Sequence, residues 1–225
     1  STESGIPDFR GPGGVWSRYQ PVLFQEFLNS QTARETYWSR KMEAYDAFAA
    51  ARPNAGHRTL AALEGAGRLQ LLITQNIDGL HELAGNSRER IVELHGTERW
   101  VSCLSCGERY PRGAIQERLL AGDLAPRCDA CGGWLKPATI SFGQSLDPAV
   151  LARAYAASRS ARAFLVVGSS LTVHPAAGLP ELAKRSGAWL GILNRDPTPL
   201  DELADWRAHG QAGAILERLG EHLGL

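Results

Sequence analysis

Glu93-Leu94-His95-Gly96-Thr-Glu-Arg-Trp-Val-Ser-Cys103-Leu-Ser-Cys106 leads from an apolar strand end, through a histidine, into the first of two Cys-x-x-Cys knuckles. The second knuckle, Cys128-Asp-Ala-Cys131, follows a gap from 107 through 127, and these are all the cysteines of the chain. Two such knuckles about twenty residues apart present four thiolates that can close tetrahedrally on one zinc ion. Four sulfurs fill that site, so His95, pinned by Gly96, is not needed as a ligand. The stretch therefore carries a scaffold at one end and a candidate for chemistry at the other.

The surrounding composition is that of a globular protein. Of 225 residues, 44% are hydrophobic and 21% charged, which excludes a disordered chain. The length suits one large domain, or one domain with a small insert. The formal net charge is zero, so the electrostatic footprint of a dedicated DNA or RNA binder is missing and no direct nucleic-acid binding is expected. Lysine occurs only at 41, 136 and 184, and the arginine excess reads as base composition acting on exposed positions. The best apolar run, Ala163 to Val167, is strand-sized, so no membrane span is expected. Ser1-Thr2-Glu3-Ser4-Gly5 has neither the apolar core nor the basic leader of a signal peptide, and it reads as the middle of a loop. Paired cysteine knuckles in a neutral chain fit zinc in a reducing compartment, which predicts a cytoplasmic location.

Short apolar runs alternate with helical patterns. Leu69–Thr74, Ile91–Leu94, Ala163–Val167 and Trp189–Leu193 read as buried strands. A helix capped by Asn54 runs to Glu64, and Pro148–Ala157, Pro175–Arg185 and Ala212–His222 are the other clear helices. This alternation predicts an α/β fold, a mostly parallel sheet with helices on both faces, whose ligands bind beyond the carboxyl ends of the strands. Two segments break the pattern: 15–52, helical and rich in aromatic residues, and 99–137, which holds the knuckles.

Several loops carry residues suited to a nucleotide. Ser4-Gly-Ile-Pro-Asp8-Phe9-Arg10 places an acid, an aromatic ring and a guanidinium within three residues, either as a surface turn or as an anion-binding loop. Thr74-Gln75-Asn76-Ile77-Asp78-Gly79 stands at a strand end, where amides and a carboxylate can read ribose hydroxyls and a carboxamide; it is also ordinary Asx turn chemistry. Gly168-Ser169-Ser170 follows a strand and lets backbone amides approach a phosphate, unless it is only a strand-to-helix turn. Asn194-Arg195-Asp196 repeats the pattern after the Trp189–Leu193 strand. The coincidence of these strand ends weighs more than any one of them. Gly-x-Gly-x-x-Gly is absent, which argues against an ordinary hydride-transferring dehydrogenase.

Taken in order, Ser4–Arg10, Thr74–His81, Glu93–Gly96, the cysteine quartet, Gly168–Leu171 and Asn194 resemble the sirtuins, NAD-dependent protein lysine deacylases, across essentially the whole chain. The resemblance implies a Rossmann-like NAD-binding lobe formed by 1–14, 53–98 and 138–225. It further implies a small lobe formed by 15–52 and 99–137, a helical insertion plus a four-cysteine zinc module, with NAD and an extended acyl-lysine peptide meeting in a cleft. It makes His95 the general base, consistent with the ability of an imidazole to accept a proton at neutral pH. Asp8, Phe9 and Arg10 would border the nicotinamide. Gln75, Asn76 and Ile77 would lie along the ribose, with Asn76 positioning a water, and Asp78 would bind the carboxamide. Gly168, Ser169 and Ser170 would approach the phosphates. Asn194, Arg195 and Asp196 would lie at the adenosine ribose and Ala212 near adenine. The peptide would add as a β-strand against Ile140-Ser141-Phe142-Gly143 and the segment around Val173. The zinc held by Cys103, Cys106, Cys128 and Cys131 would be structural.

The chain departs from the family pattern in three places. Its peptide-binding strand reads Pro137-Ala-Thr-Ile-Ser-Phe-Gly-Gln144, without the two acids common there. Tyr37-Trp-Ser-Arg40 resembles a Tyr-Trp-x-Arg subgroup, and more loosely the Tyr-x-x-Arg that reads succinyl groups, which makes Tyr37 and Arg40 candidate substrate contacts. The apolar strand and Gly-Ala-Gly that precede the serine matching Ser1 in sirtuins are not in the sequence. The 225 residues by themselves are therefore expected to expose sheet edges and bind NAD poorly. Protein mono-ADP-ribosylation is the rival activity on the same fold, and a zinc-ribbon binding module is the rival from another class.

Overall fold

The computed structural model describes residues 1–7, 14 and 20–225. Its first elements are α1 (Phe24–Asn29), α2 (Gln31–Ala50), α3 (Ala55–Gly65), β1 (Leu72–Thr74), α4 (Leu80–Leu83), β2 (Ile91–Glu93), β3 (Gly96–Cys103) and β4 (Arg109–Pro111). They are followed by α5 (Arg112–Leu120), β5 (Leu135–Thr139), α6 (Pro148–Ser160), β6 (Ala163–Val167), α7 (Gly178–Arg185), β7 (Trp189–Asn194), β8 (Trp206–His209) and α8 (Ala212–His222). The chain forms two compact units. The first contains Ser1–Arg52, Asn76–Leu80 and His95–Leu146; the second contains Pro53–Gln75, His81–Leu94 and Asp147–Leu225.

The second unit is the parallel α/β part. β1 pairs with β2 in parallel, Leu72 opposite Ile91 and Thr74 opposite Glu93. β6, β7 and β8 form a second parallel ladder, with Val167 opposite Leu193 and Gly191 opposite Trp206. Leu190, Ile192 and Leu193 are fully buried there, as expected for parallel strands covered on both faces. The Asn54 side chain accepts from the His57 N–H at 3.2 Å to start α3, and Asp147 accepts from the Ala149 N–H at 2.8 Å to start α6. α3 lies close against α8: a Cβ on Gly56 would stand 3.3 Å from Gly213 Cα and 3.2 Å from Leu216 Cδ1. β8 has no counterpart in the sequence reading. Its Trp206-Arg-Ala-His is largely exposed, and it is held as an edge strand by its ladder and by the stacking of Trp206 on Trp189, with ring centroids at 6.5 Å.

The first unit is antiparallel. β3 is its central strand, with Val101 opposite both Tyr110 of β4 and Pro137 of β5. Its core gathers Phe27, Tyr37 and Trp38 from the helical segment, Val101 and Leu135 from the sheet, Ile115 and Leu119 from α5, and the sulfurs of Cys103 and Cys128. Phe27, Tyr37 and Trp38 thus serve to cover the cysteine module, while Phe48 packs against Ile6, Ala51 and Leu80. Segments 76–80, 95–98 and 138–146, grouped by sequence with the Rossmann-like lobe, pack with this module instead. The reason is that β3 runs unbroken from Gly96 to Cys103 and β5 pairs along it. Among the described residues, no helix is long and apolar enough to cross a membrane.

Replacing the cap in Asn54→Ala removes the acceptor for the first turn of α3. It should cost ~1 kcal/mol, read as a drop in Tm of ~2–4 °C by thermal denaturation.

Candidate active site and metal centre

The four cysteine sulfurs lie within 4.8 Å of one another, with Cys103–Cys131 at 3.5 Å and Cys106–Cys128 at 3.6 Å. A tetrahedron of sulfurs about 2.3 Å from zinc has edges of ~3.8 Å, so the arrangement fits the ion. The two knuckles repeat one local design. In each, the residue after the second cysteine is a glycine, Gly107 at φ +79° and Gly132 at φ +71°, whose N–H bonds back to the carbonyl of the first. Backbone N–H groups of Cys106 and Ser105 point at Cys103 Sγ, at 3.5 and 3.4 Å, and hold its thiol below the usual range. The Tyr110 hydroxyl, 3.4 Å from Cys128 Sγ, brings that thiol down to about 6, so this sulfur is offered as a thiolate. Gly133 has no room for a side chain, since a Cβ would meet Ser105 Oγ at 2.5 Å and Cys103 Sγ at 2.8 Å. Trp134 is clasped between the guanidiniums of Arg34 and Arg127, 3.7 and 3.5 Å from its ring centroid. Arg34 also donates to the Phe27 and Leu28 carbonyls at 2.8 and 3.0 Å, which ties the second knuckle to α1.

At the other end of β3 stands His95, half-buried. Its carbonyl accepts from the Ile140 N–H at 2.9 Å, so the expected peptide-binding segment leaves β5 beside the histidine. Gly96 has φ +70°, and a Cβ on it would fall 1.9 Å from the Ala138 carbonyl oxygen. The strand end can reach that turn only without a side chain. Ser141, Phe142 and Gly143 follow in a tight turn: Gln144 donates its N–H to the Ser141 carbonyl at 3.0 Å, and its Oε1 accepts the Ser141 N–H at 3.1 Å. Gln144, which replaces an acid of the family pattern, is thus used to close its own loop. Phe142 is 48% exposed, with its carbonyl receiving the Phe24 N–H at 2.9 Å.

Asn76, Ile77 and Asp78 belong to the same unit as His95. The Ile77 carbonyl receives the Glu98 N–H at 2.7 Å. Asp78 is buried, its Oδ1 accepting from the Leu80 N–H at 3.0 Å and its Oδ2 from the Ser1 hydroxyl. A Cβ on Gly79 would overlap the Arg99 stem, 2.2 Å from Cδ. The loop is therefore fixed along the first residues of β3.

The remaining nucleotide-type donors stand on the second unit at the carboxyl ends of parallel strands. Gln75 Nε2, just beyond β1, donates to Ser169 Oγ at 3.2 Å. Gly168 turns the chain at φ +61° after β6, with its N–H on the Leu193 carbonyl at 2.8 Å. Ser169 Oγ accepts from the Leu171 N–H at 3.3 Å, and Ser170 pairs its hydroxyl with Thr172 at 2.9 Å. Leu171 takes the left-handed φ of +55° while its side chain is buried in the core, so packing holds a backbone that leucine disfavours. After β7, Asn194 Nδ2 donates to the Asp196 carbonyl at 2.8 Å, and Arg195 and Asp196 pair in solvent at 3.2 Å. Val173 is half-buried beyond the serine loop, and Ala212 opens α8.

The two candidate substrate contacts of the helical segment differ in burial. Tyr37 is packed edge-on against Phe27 and Trp38, with centroids at 5.1 and 6.1 Å, because the aromatic cluster supplies the core over the cysteines. It is part of the core of the first unit. Arg40 donates to the Gln20 carbonyl at 2.5 Å. Asp8, Phe9 and Arg10 lie outside the described residues.

The sequence model of the Sir2 family matches residues 1–175. The chain belongs to the Sir2 family. A relative from Bradyrhizobium diazoefficiens, called NAD-dependent protein deacetylase 1, is 46% identical over 224 residues, which covers 100% of this chain and 85% of the relative. A solved Sir2 with a p53 peptide and NAD+ superposes with a TM-score of 0.89 at 35% identity, covering 100% of this chain and 89% of that one. A Sir2 variant with a deacetylated p53 peptide and 3'-O-acetyl ADP ribose gives a TM-score of 0.90 at 35% identity, covering 100% and 90%. The Sir2 fold, with its parallel sheet and clustered cysteines, is therefore the fold of this chain.

Gly96→Ala forces a backbone overlap at a positive φ and should cost ~3 kcal/mol or more, measured by chemical denaturation. Chelation should strip the cysteine module of its cross-link. Hydrogen exchange is expected to speed up through β3, β4 and β5 while β6 and β7 keep their protection.

Proposed function

We propose that this chain removes acetyl or related acyl groups from lysines of proteins, with NAD as co-substrate, giving nicotinamide, free lysine and O-acyl-ADP-ribose. The observation that supports this best is His95. It is held at the head of β3 by Gly96 and Ile140, spared from the metal by the four cysteines, and flanked by the segment that would take a peptide strand. The whole-chain identity to proteins called NAD-dependent protein deacetylases supports the same reading.

NAD, when bound, supplies a sugar carbon that can lose nicotinamide and receive the acyl oxygen. The chain's residues do the rest. His95 accepts a proton from a ribose hydroxyl, and its place on a strand end rather than on a long loop keeps the ring aimed. Asn76 orders a water, Ile77 lies along the ribose and Asp78 borders the leaving group. Gln75, Gly168, Ser169 and Ser170 bind phosphate and ribose oxygens, and Asn194, Arg195, Asp196 and Ala212 hold the adenosine end. Ile140 to Gly143 and Val173 offer backbone groups to an acyl-lysine peptide. Zinc would supply cross-linking alone, because four thiolates leave no open position for water. Thiolate ligands persist in a reducing compartment, which supports a cytoplasmic enzyme. Neither a membrane nor a nucleic acid takes part in this reading.

Nicotinamide release from NAD should depend on an acyl-lysine peptide and fall ~100-fold or more in His95→Ala. Label from NAD should appear on a small acyl-ADP-ribose. Label retained on the acceptor protein would instead establish ADP-ribosyl transfer.

A further inference from the structure

Glu98 is a buried carboxylate, 5% exposed, in the first turn of pleat after His95 and Gly96. In a regular strand its side chain would face away from that of Thr97. Here both are buried, because the pairing of β3 with β5 shifts register between Gly96 and Val101 and turns Glu98 inward. Its Oε2 meets Lys41 Nζ of α2 at 2.6 Å, and its Oε1 meets Arg112 Nε of α5 at 3.4 Å. Arg112 Nη2 in turn donates to the Lys41 carbonyl at 2.9 Å, so the two cations and the acid close a ring of contacts. Burial works against the charge on Lys41, and the Glu98 carboxylate outweighs it, leaving the ammonium pKa raised. The backbone of the same residue gives its N–H to the Ile77 carbonyl at 2.7 Å.

We propose that Glu98 is a positioning residue for the reaction, fixing the Asn76–Asp78 loop and His95 to the helices that cover the zinc module. The proposal rests on the function assigned above. Its side chain holds α2 and α5, its N–H holds the loop, and the strand it occupies holds the histidine three residues away. All of these lie in one compact unit. Stability alone does not account for an acid here, since apolar side chains commonly replace buried ion pairs without loss. What the carboxylate adds is direction: two fixed donors on two helices set where β3 begins. Misplacement of reacting groups by about 1 Å can lower a rate ~100-fold.

The test compares wild type, Glu98→Gln and Lys41→Met, each checked for bound zinc and assayed well below its melting midpoint. Lys41→Met keeps the Glu98–Arg112 pair, so it serves if Glu98→Gln does not fold. Expected is a fall in kcat of ~10- to 100-fold for Glu98→Gln and ~3- to 10-fold for Lys41→Met, with KM for the acyl peptide changed less than ~3-fold. Deuterium uptake should rise at 76–80 in both variants. A merely structural Glu98 would lower the melting midpoint and leave kcat at the wild-type value, and that result in a folded variant overturns the proposal. If the full-length wild type releases no nicotinamide with any acyl peptide, the assigned function fails instead. Unchanged uptake at 76–80 in a folded variant would then overturn the positioning role independently.

Discussion

The closure of four thiolates at the far end of β3 is the constraint on which the first unit depends. Cys103 and Cys128 are part of its hydrophobic core, so the metal centre and the core are one object and not neighbours. The strands around it are short, β4 being only Arg109–Pro111, and two short antiparallel strands hold little by themselves. A cross-link between the first knuckle, at the end of β3, and the second, before β5, supplies the closure that so small a sheet lacks. Since β3 also begins at Gly96, the metal fixes one end of the strand whose other end carries His95. A zinc ion held there would thereby bear on a histidine it never touches.

Close backbone approach makes this transmission stiff. At Gly96 the neighbouring carbonyl of Ala138 occupies the space of a side chain, and at Gly133 a sulfur and a hydroxyl do the same. Both positions exclude every other residue for a steric reason, one at the histidine and one at the metal. From Gly96 to Cys103, which touches the space a Gly133 side chain would need, β3 is one continuous strand, and protein interiors packed this closely pass displacement along instead of absorbing it.

The parts of the fold that repeat a strong local pattern were legible in the sequence. Ala163–Val167 and Trp189–Asn194 are strands because apolar branched residues in unbroken runs are stable only when both faces are covered. Asn54 starts its helix as its side chain requires. The cysteine spacing was equally legible, since it is set by coordination number. β8 was not, because an edge strand needs only backbone partners and its side chains can remain polar. The burial of Tyr37 was not legible either, because an aromatic followed by an arginine has the same local spacing whether it faces solvent or a core. Glu98 gave no signal. Its burial follows from a register shift against β5, a strand far along the chain that no local window contains.

The division into units adds a last point about the reactive motifs. The chain passes from the second unit to the first between Gln75 and Asn76, and again between Leu94 and His95. Each crossing falls inside a motif assigned to the reaction. Gln75 is bonded to Ser169 in one unit, while the next residue begins the loop whose Ile77 carbonyl is held by Glu98 in the other. A single peptide bond thus joins Gln75 to Asn76 across the two units, and a second joins Leu94, bonded to the Thr74 carbonyl at 2.9 Å, to His95. The same arrangement explains why the motifs stand at strand ends: only there does the backbone leave one sheet with its direction already set.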